Sequence, residues 1–343
     1  MRNTFRIIAL ASVVFFAPAS KVIVLRGETG GRAGTPPLTI VQADPHHPGT
    51  LLAGTAAALL FRSRDGAATW SPLPFPMSLR CNLHAILIDP QTPDVYLVAL
   101  SSENPQYAGV FRSADGGATW TQLRGLEQKQ VWALARWTAD ARVIAAGTQE
   151  GVFLTRDGGD SWTRLSSSRS AWPRPVVSLA FDPTDRNTLY AGTPHLAWKT
   201  ANGGATWQRI RGGMEEDSDI FSIVVDASRR THLLAGACSG IYRSLDGGGT
   251  WSNLEQAVGG ALRTYVIARP PGRPNIVFAG TSGGLMQSPD GGATWRRLSE
   301  APVRSIAFDP GDSLRTFVAT DHGILRSEDG THFVVASHGL DKR

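Results

Sequence analysis

The octapeptide Ser113-Ala114-Asp115-Gly116-Gly117-Ala118-Thr119-Trp120 returns, with small edits, along the whole chain. Copies begin at Ser63, Ser113, Thr155, Thr200, Ser244 and Ser288. A seventh, one residue shorter, runs from Ser327 to Phe333 and has Phe in the Trp place. The steps between copies are 50, 42, 45, 44, 44 and 39 residues. A repeat of this size marks an array whose units bury their apolar faces against one another. The third position is Asp65, Asp115, Asp157, Asn202, Asp246, Asp290 or Asp329. Its side chain is expected to accept from backbone N–H groups two residues on, as an Asx-turn. Gly-Gly then supplies positive φ without steric cost, and Ser or Thr adds a second local bond. The Trp covers the turn as an apolar lid. These seven side chains are read as structural, because nothing in the sequence sets a second carboxylate beside them.

Each unit repeats one grammar. A first apolar run ends in Asp-Pro or a variant, as in Leu38 to Pro45, Leu83 to Pro90, Val176 to Pro183, Ile220 to Ala227 and Val303 to Pro310. Unit three departs with Trp137-Thr138 and unit six with Arg269-Pro270. A second run often ends Ala-Gly-Thr, a third leads into the Asp motif, and a fourth starts at the Trp. Short runs rich in Val, Ile, Phe, Tyr and Trp, bounded by turn residues, are strands. Seven units of four strands predict an all-β chain: a single seven-bladed β-propeller of four-stranded antiparallel blades. Closure of the ring is left open between Phe333 to Ala336 and a strand added by Val22 to Leu25.

Composition excludes several classes. The formal charge of +5 on 343 residues is mild and dispersed, so no nucleic acid is expected. Cys81 and Cys238, the two cysteines, form no framework and are expected as free, mostly buried thiols. No cofactor or metal motif is present, so none is expected. Residues 1–19 read as a signal peptide, with Arg2 and Arg6 before the apolar Ile7 to Ala17 and a small-x-small Ala17-Pro18-Ala19. The alternative is an uncleaved N-terminal membrane anchor. The expected layout is a flexible segment at 20–37, the propeller at 38–336 and a tail at 337–343, exported to the periplasm or medium as a monomer, with peripheral membrane association allowed.

The phrase Ser/Thr-x-Asp-Gly-Gly-x-Thr-Trp, preceded by runs such as Leu189-Tyr190-Ala191-Gly192-Thr193 and Phe308-Asp309-Pro310, resembles the Asp-box (BNR) repeat. That repeat is found in sialidases, two-domain xyloglucanases, sortilin-type receptors and photosystem II assembly-factor propellers. The resemblance spans about residues 38–336 and implies the propeller. It does not choose a function, because such families share the turn and differ in the site.

In a propeller the first-strand starts, the links between blades and the second-to-third-strand turns share one face, and the Asp motifs lie on the other. Loops on a rigid scaffold carry function. Alignment of the first strands puts Thr39, His84, Trp132, Val177, Phe221, Thr264 and Arg304 at equivalent positions near the channel mouth. The adjoining turns add Glu103, Asn104, Tyr107, Gln149, Glu150, His195, Asp321 and His322, and the blade four-to-five link adds Glu215, Glu216, Asp217 and Asp219. Glycoside hydrolysis would need two of these carboxylates across one sugar. No arginine triad of the sialidase kind can be assigned, although Arg263 and Arg304 could reach this face. Only one propeller is present, so the cleft between two propellers that xyloglucanases use is missing. The sequence therefore predicts a binding or assembly scaffold for a protein, peptide or glycan partner, with a sialidase- or xyloglucanase-like hydrolase as the alternative.

Overall fold

The computed structural model describes residues 37–75, 81–165, 172–214, 219–254, 259–260, 262–312 and 314–340. They form seven four-stranded antiparallel sheets arranged as a propeller, each built from one contiguous stretch of chain. The first strands are Leu38–Ala43, Cys81–Ile88, Val131–Arg136, Ser178–Phe181, Ile220–Val225, Thr264–Ala268 and Val303–Phe308. Each touches its neighbour on either side, and the first meets the last, so these strands wall the central channel. The proposed contribution of Val22 to Leu25 lies outside the described residues, as do Glu215, Glu216 and Asp217.

Seven apolar clusters fill the ring, one at each blade junction. The second-strand glycines set their spacing. A Cβ on Gly280 would lie 2.5 Å from Cγ1 of Val303 in the next blade. The recurring Ala-Gly-Thr phrase thus leaves room for the neighbouring first strand to press against the sheet. Closure uses the same contacts. Leu38, Phe61 and Trp70 of blade one share a cluster with Phe317, Ile324 and Leu340 from the other end of the chain. The Trp70 N–H donates to the His338 carbonyl at 2.8 Å, and its indole Nε1 donates to the Ala336 carbonyl at 2.8 Å. The last described residues therefore strap blade seven onto blade one.

The Asp motif has a geometry different from the expected Asx-turn. Asp115 Oδ1 accepts from the N–H of Thr119, four residues on, at 2.9 Å, and Asp115 Oδ2 accepts from the Thr119 hydroxyl at 2.6 Å. Ser113 Oγ donates to Asp115 at 2.8 Å and accepts from the Gly117 N–H at 2.7 Å. The carboxylate reaches past the Gly-Gly pair because the serine already holds the middle of the turn. Three hydrogen bonds, from the Thr119 hydroxyl, the Thr119 N–H and Ser113, hold the Asp115 carboxyl down at about 2. The same arrangement recurs at Asp65, Asp157, Asp246 and Asp290. At Asn202 the amide nitrogen donates to Thr206 Oγ1 instead. In the shortened seventh copy Asp329 Oδ1 accepts from the N–H groups of Thr331 and His332.

The motif also joins blades. The third strand carries a basic side chain at four junctions that reaches the Asp motif of the following blade. Arg62 donates to the Gly116 carbonyl at 2.9 Å, Lys199 to Gly247 at 2.9 Å and Arg326 to Gly66 at 2.8 Å, while Arg112 pairs with Asp160 at 3.2 Å. Blades three and six present Leu154 and Gln287 at this position. Leu154 has nothing to donate, and Gln287 accepts from Arg296 of its own blade while its Nε2 has no partner.

Candidate functional site

The two ends of the channel differ. At the upper end, where first strands start, six of the seven carry a β-bulge, at Thr39, His84, Trp132, Phe221, Tyr265 and Arg304. A bulge re-aims a side chain. The blade-six member of this ring is Tyr265; Thr264, expected from sequence alignment, instead pairs with Thr281 in regular register. The alignment was one residue off because both candidates precede an equally apolar run.

On blades five to seven the bulged side chains form one continuous stack. The Arg263 guanidinium lies 5.6 Å from the Phe221 ring centre, Phe221 and Tyr265 have centroids 5.9 Å apart, and Arg304 lies 4.2 Å from the Tyr265 centre. Cations over aromatic faces are attracted by the ring quadrupole. Asp321 takes Arg304 in a two-pronged pair at 2.7 and 2.8 Å. Burial works against the Arg304 charge, but the Asp321 bonds outweigh it and raise its affinity for the proton. Asp219 lies near Arg263 and His195, and burial pushes its carboxyl up against the opposing field of the Arg263 guanidinium.

Other residues singled out from the sequence lie apart from this stack. His84 is buried and bonds Ser101 Oγ at 2.7 Å. Trp132 and Val177 pack together in a small cluster of their own, separate from the blade junctions. Glu150 pairs with Lys129 at 2.9 Å. Asn104 caps a single 3-10 turn, Pro105–Tyr107, and Glu103 is exposed. His322 is exposed and its N–H donates to Thr320 Oγ1 at 3.1 Å, within the blade-seven turn. Cys81 is buried and Cys238 half-buried, and neither is in a disulfide. Among the described residues no cluster of three or more His, Cys, Asp or Glu could hold a metal.

At the lower end, on the Asp-motif face, the channel opens as a cavity of about 850 Å³ to which all seven blades contribute. Its wall is apolar, with Leu87, Ala135, Leu179, Phe181 and Phe308 among its members. The rim is the set of Asp-Pro turns, whose Pro45, Pro90, Pro183 and Pro310 face the opening. The Asp of each such turn makes the two-residue Asx bond that had been expected in the Asp motif. Asp44 accepts from His46 N–H at 2.8 Å, Asp89 from Gln91 at 2.9 Å, Asp182 from Thr184 at 2.8 Å, Asp226 from Ser228 at 2.9 Å and Asp309 from Gly311 at 2.8 Å. Those carboxylates serve the backbone.

Comparison with known proteins agrees with this architecture. The profile of the family described as "Sortilin, neurotensin receptor 3" matches residues 108–233. No curated protein matches the chain in sequence. Among solved structures, a GH74 xyloglucanase from Xanthomonas campestris superposes with a TM-score of 0.69 at 18% identity, covering 89% of this chain and 55% of that one. The chain thus spans about half the length of that enzyme. YCF48 bound to a D1 peptide superposes at 0.63 with 16% identity, covering 92% of this chain and 99% of that one. The extracellular domain of a hybrid two-component system from B. thetaiotaomicron superposes at 0.67 with 15% identity, covering 91% of this chain and 40% of that one. Identities this low establish the shared propeller. The neighbours include both enzymes and a peptide-binding protein.

Sequence reading missed the lower cavity and its two arginines, Arg136 and Arg269. The signal was in hand. Units three and six are the two that lack Asp in the Asp-Pro phrase, and Trp137 and Arg269 take that place. Arg136, one residue before, donates to the Ile88 carbonyl at 2.6 Å and pairs with Asp89 at 3.4 Å. Arg269 donates to Asp226 at 3.1 Å.

Proposed function

We propose that this propeller is a binding scaffold that holds a protein or peptide partner on its upper face. The observation that carries the reading is the continuous run of Arg263, Phe221, Tyr265, Arg304 and Asp321 across three blades. Aromatic and arginine side chains fixed by one another lose little freedom on binding and are the residue types that dominate interface energetics. The full-length likeness to a peptide-bound propeller supports the same reading. The scaffold acts after export; the apolar stretch Ile7 to Ala17 supports this, and fractionation of intact cells tests it.

Affinity capture from the host's envelope fraction tests the scaffold. Arg304→Ala and Tyr265→Ala should each lose the captured partner while the ring still melts cooperatively. Full capture by both variants would remove the upper face from consideration.

A glycoside hydrolase is the second reading, favoured by one observation: Asp219 is a carboxyl pushed up by burial, as a general acid requires. Turnover on a sialoside or β-glucan panel, abolished by Asp219→Asn, would establish it. No turnover on that panel leaves the scaffold.

A further inference from the structure

The lower cavity lies at the opposite end of the channel from the aromatic stack, and the scaffold reading makes no use of it. All seven blades line it, and its volume, about 850 Å³, is that of a small-molecule pocket. Leu87, Ile88, Leu179, Phe181 and Phe308 give it an apolar wall.

The ligand class is set by how little polarity the rim has left to offer. Pro45, Pro90, Pro183, Pro270 and Pro310 line the cavity and bring no N–H. The turn carboxylates take the N–H groups that follow: Asp44 holds His46, Asp89 holds Gln91, Asp182 holds Thr184, Asp226 holds Ser228 and Asp309 holds Gly311. The carbonyls of Ile88, Asp89, Asp182 and Pro274 accept from Arg136, the His46 ring, the Trp137 indole and Arg269. A guest with its own donors and acceptors would give up their water and find these groups already engaged.

Charge is closed off in the same way. Arg136 pairs with Asp89 and Arg269 with Asp226, and the two arginine side chains are only 10% and 7% exposed. The Nε of each is fully buried and out of reach of a guest. Asp44, Asp182 and Asp309 keep their negative charge, each held by N–H groups of its own turn. An anion would meet those carboxylates and a cation the two guanidinium groups. Among these groups neither sign finds an unpaired counter-charge, and taking an ion out of water without one is costly.

We infer that the lower cavity binds an uncharged lipophile, held by burial of its apolar surface and not by hydrogen bonds. Affinity comes from apolar area leaving water. Water in the cavity finds few partners on such a wall and is readily displaced.

Fluorescence titration of the full chain with pyrene, pyrenecarboxylate and pyrenemethylammonium tests this, because pyrene emission reports the polarity around it. Pyrene should bind saturably in apolar surroundings, at least about tenfold tighter than either ion, since each ion must desolvate an unpaired charge or hold its body partly out of the cavity. Ala227→Trp and Thr138→Trp, at exposed rim positions on blades five and three, should together weaken pyrene at least about tenfold. Both side chains are exposed, so the ring should melt as before, and either variant alone carries the test if the pair does not fold. Tyr265→Ala, on the upper face, should leave pyrene binding unchanged. Uptake that does not saturate, equal or tighter binding of either ion, affinity unaltered by the rim tryptophans, loss of pyrene on Tyr265→Ala, or tighter binding of a blocked Leu- and Val-rich pentapeptide would each overturn the proposal.

Discussion

Gly117 of blade two is seated against Leu73 of blade one so closely that an added Cβ would lie 2.5 Å from Leu73 Cδ2. The relationship recurs at the next three junctions: the second glycine of the Asp motif receives the apolar residue that ends or directly follows the preceding blade's fourth strand. Gly159 meets Leu123, Gly204 meets Leu165 and Gly248 meets Ile210. At the closing junction both partners change. Blade one has Ala67 in the glycine place and blade seven has Ala336 in the leucine place, and both belong to the same buried cluster.

Gly117→Ala should destabilise the ring by about 2 kcal/mol or more, since it adds left-handed strain at φ +90° to a clash with Leu73. Chemical denaturation of the single variant and of Gly117→Ala combined with Leu73→Ala measures it. The pair should cost less than the sum of its parts, because the shortened Leu73 vacates the space. Strict additivity would mean the two residues do not share that volume.

The closing junction makes the reciprocal test. Ala336→Leu should overpack and cost roughly 1–3 kcal/mol. Adding Ala67→Gly should recover most of that loss, with the melting temperature as the readout.

The strap has its own prediction. Leu340 is 4% exposed and packs with Trp70 and Phe317. Leu340→Ala should cost about 2–5 kcal/mol. Hydrogen exchange should show the loss concentrated in blades one and seven. Uniform loss over all blades would assign closure elsewhere.

Acid sensitivity follows from the Asp motifs. Asp115 and Asp246 are held at about 2 by the hydrogen bonds of their turns, against an ordinary 3.8. A folded-state value below the unfolded one gives stability that is complete above the ordinary value and is lost as pH falls towards the folded value. Denaturation midpoints should therefore be flat down to about 3.8 and fall between there and about 2. Asn202 cannot take part in that titration, and Asn202→Asp should steepen the fall.

The blade count, strand order and face assignment were legible because seven copies of one turn phrase repeat a single structural unit. The turn chemistry itself was misplaced. Asp115 binds four residues ahead because Ser113 fills the nearer site, and the two-residue Asx bond belongs to Asp44 and its counterparts and, within the Asp motifs, to Asp329 of the shortened seventh copy. His195, Asp219, Phe221, Arg304 and Asp321 were assigned to one face from strand order alone. That Phe221 and Arg304 are linked through Tyr265 was hidden, because a bulge shifts register by one residue without leaving a mark in apolar periodicity. The lower cavity was overlooked because its wall is made of residues that read as ordinary core.

Blades three and six depart from the repeat twice over. They lack the Asp of the Asp-Pro turn, having Trp137 and Arg269 instead, and they lack the basic side chain that clasps the next blade, having Leu154 and Gln287. A ring of seven identical blades would offer a guest on its axis seven equivalent poses, and no means of choosing among them. Two irregularities three blades apart remove that degeneracy. The channel has a bearing as well as a bore, because Trp137 and Arg269 stand at its lower end where the other five blades present Asp.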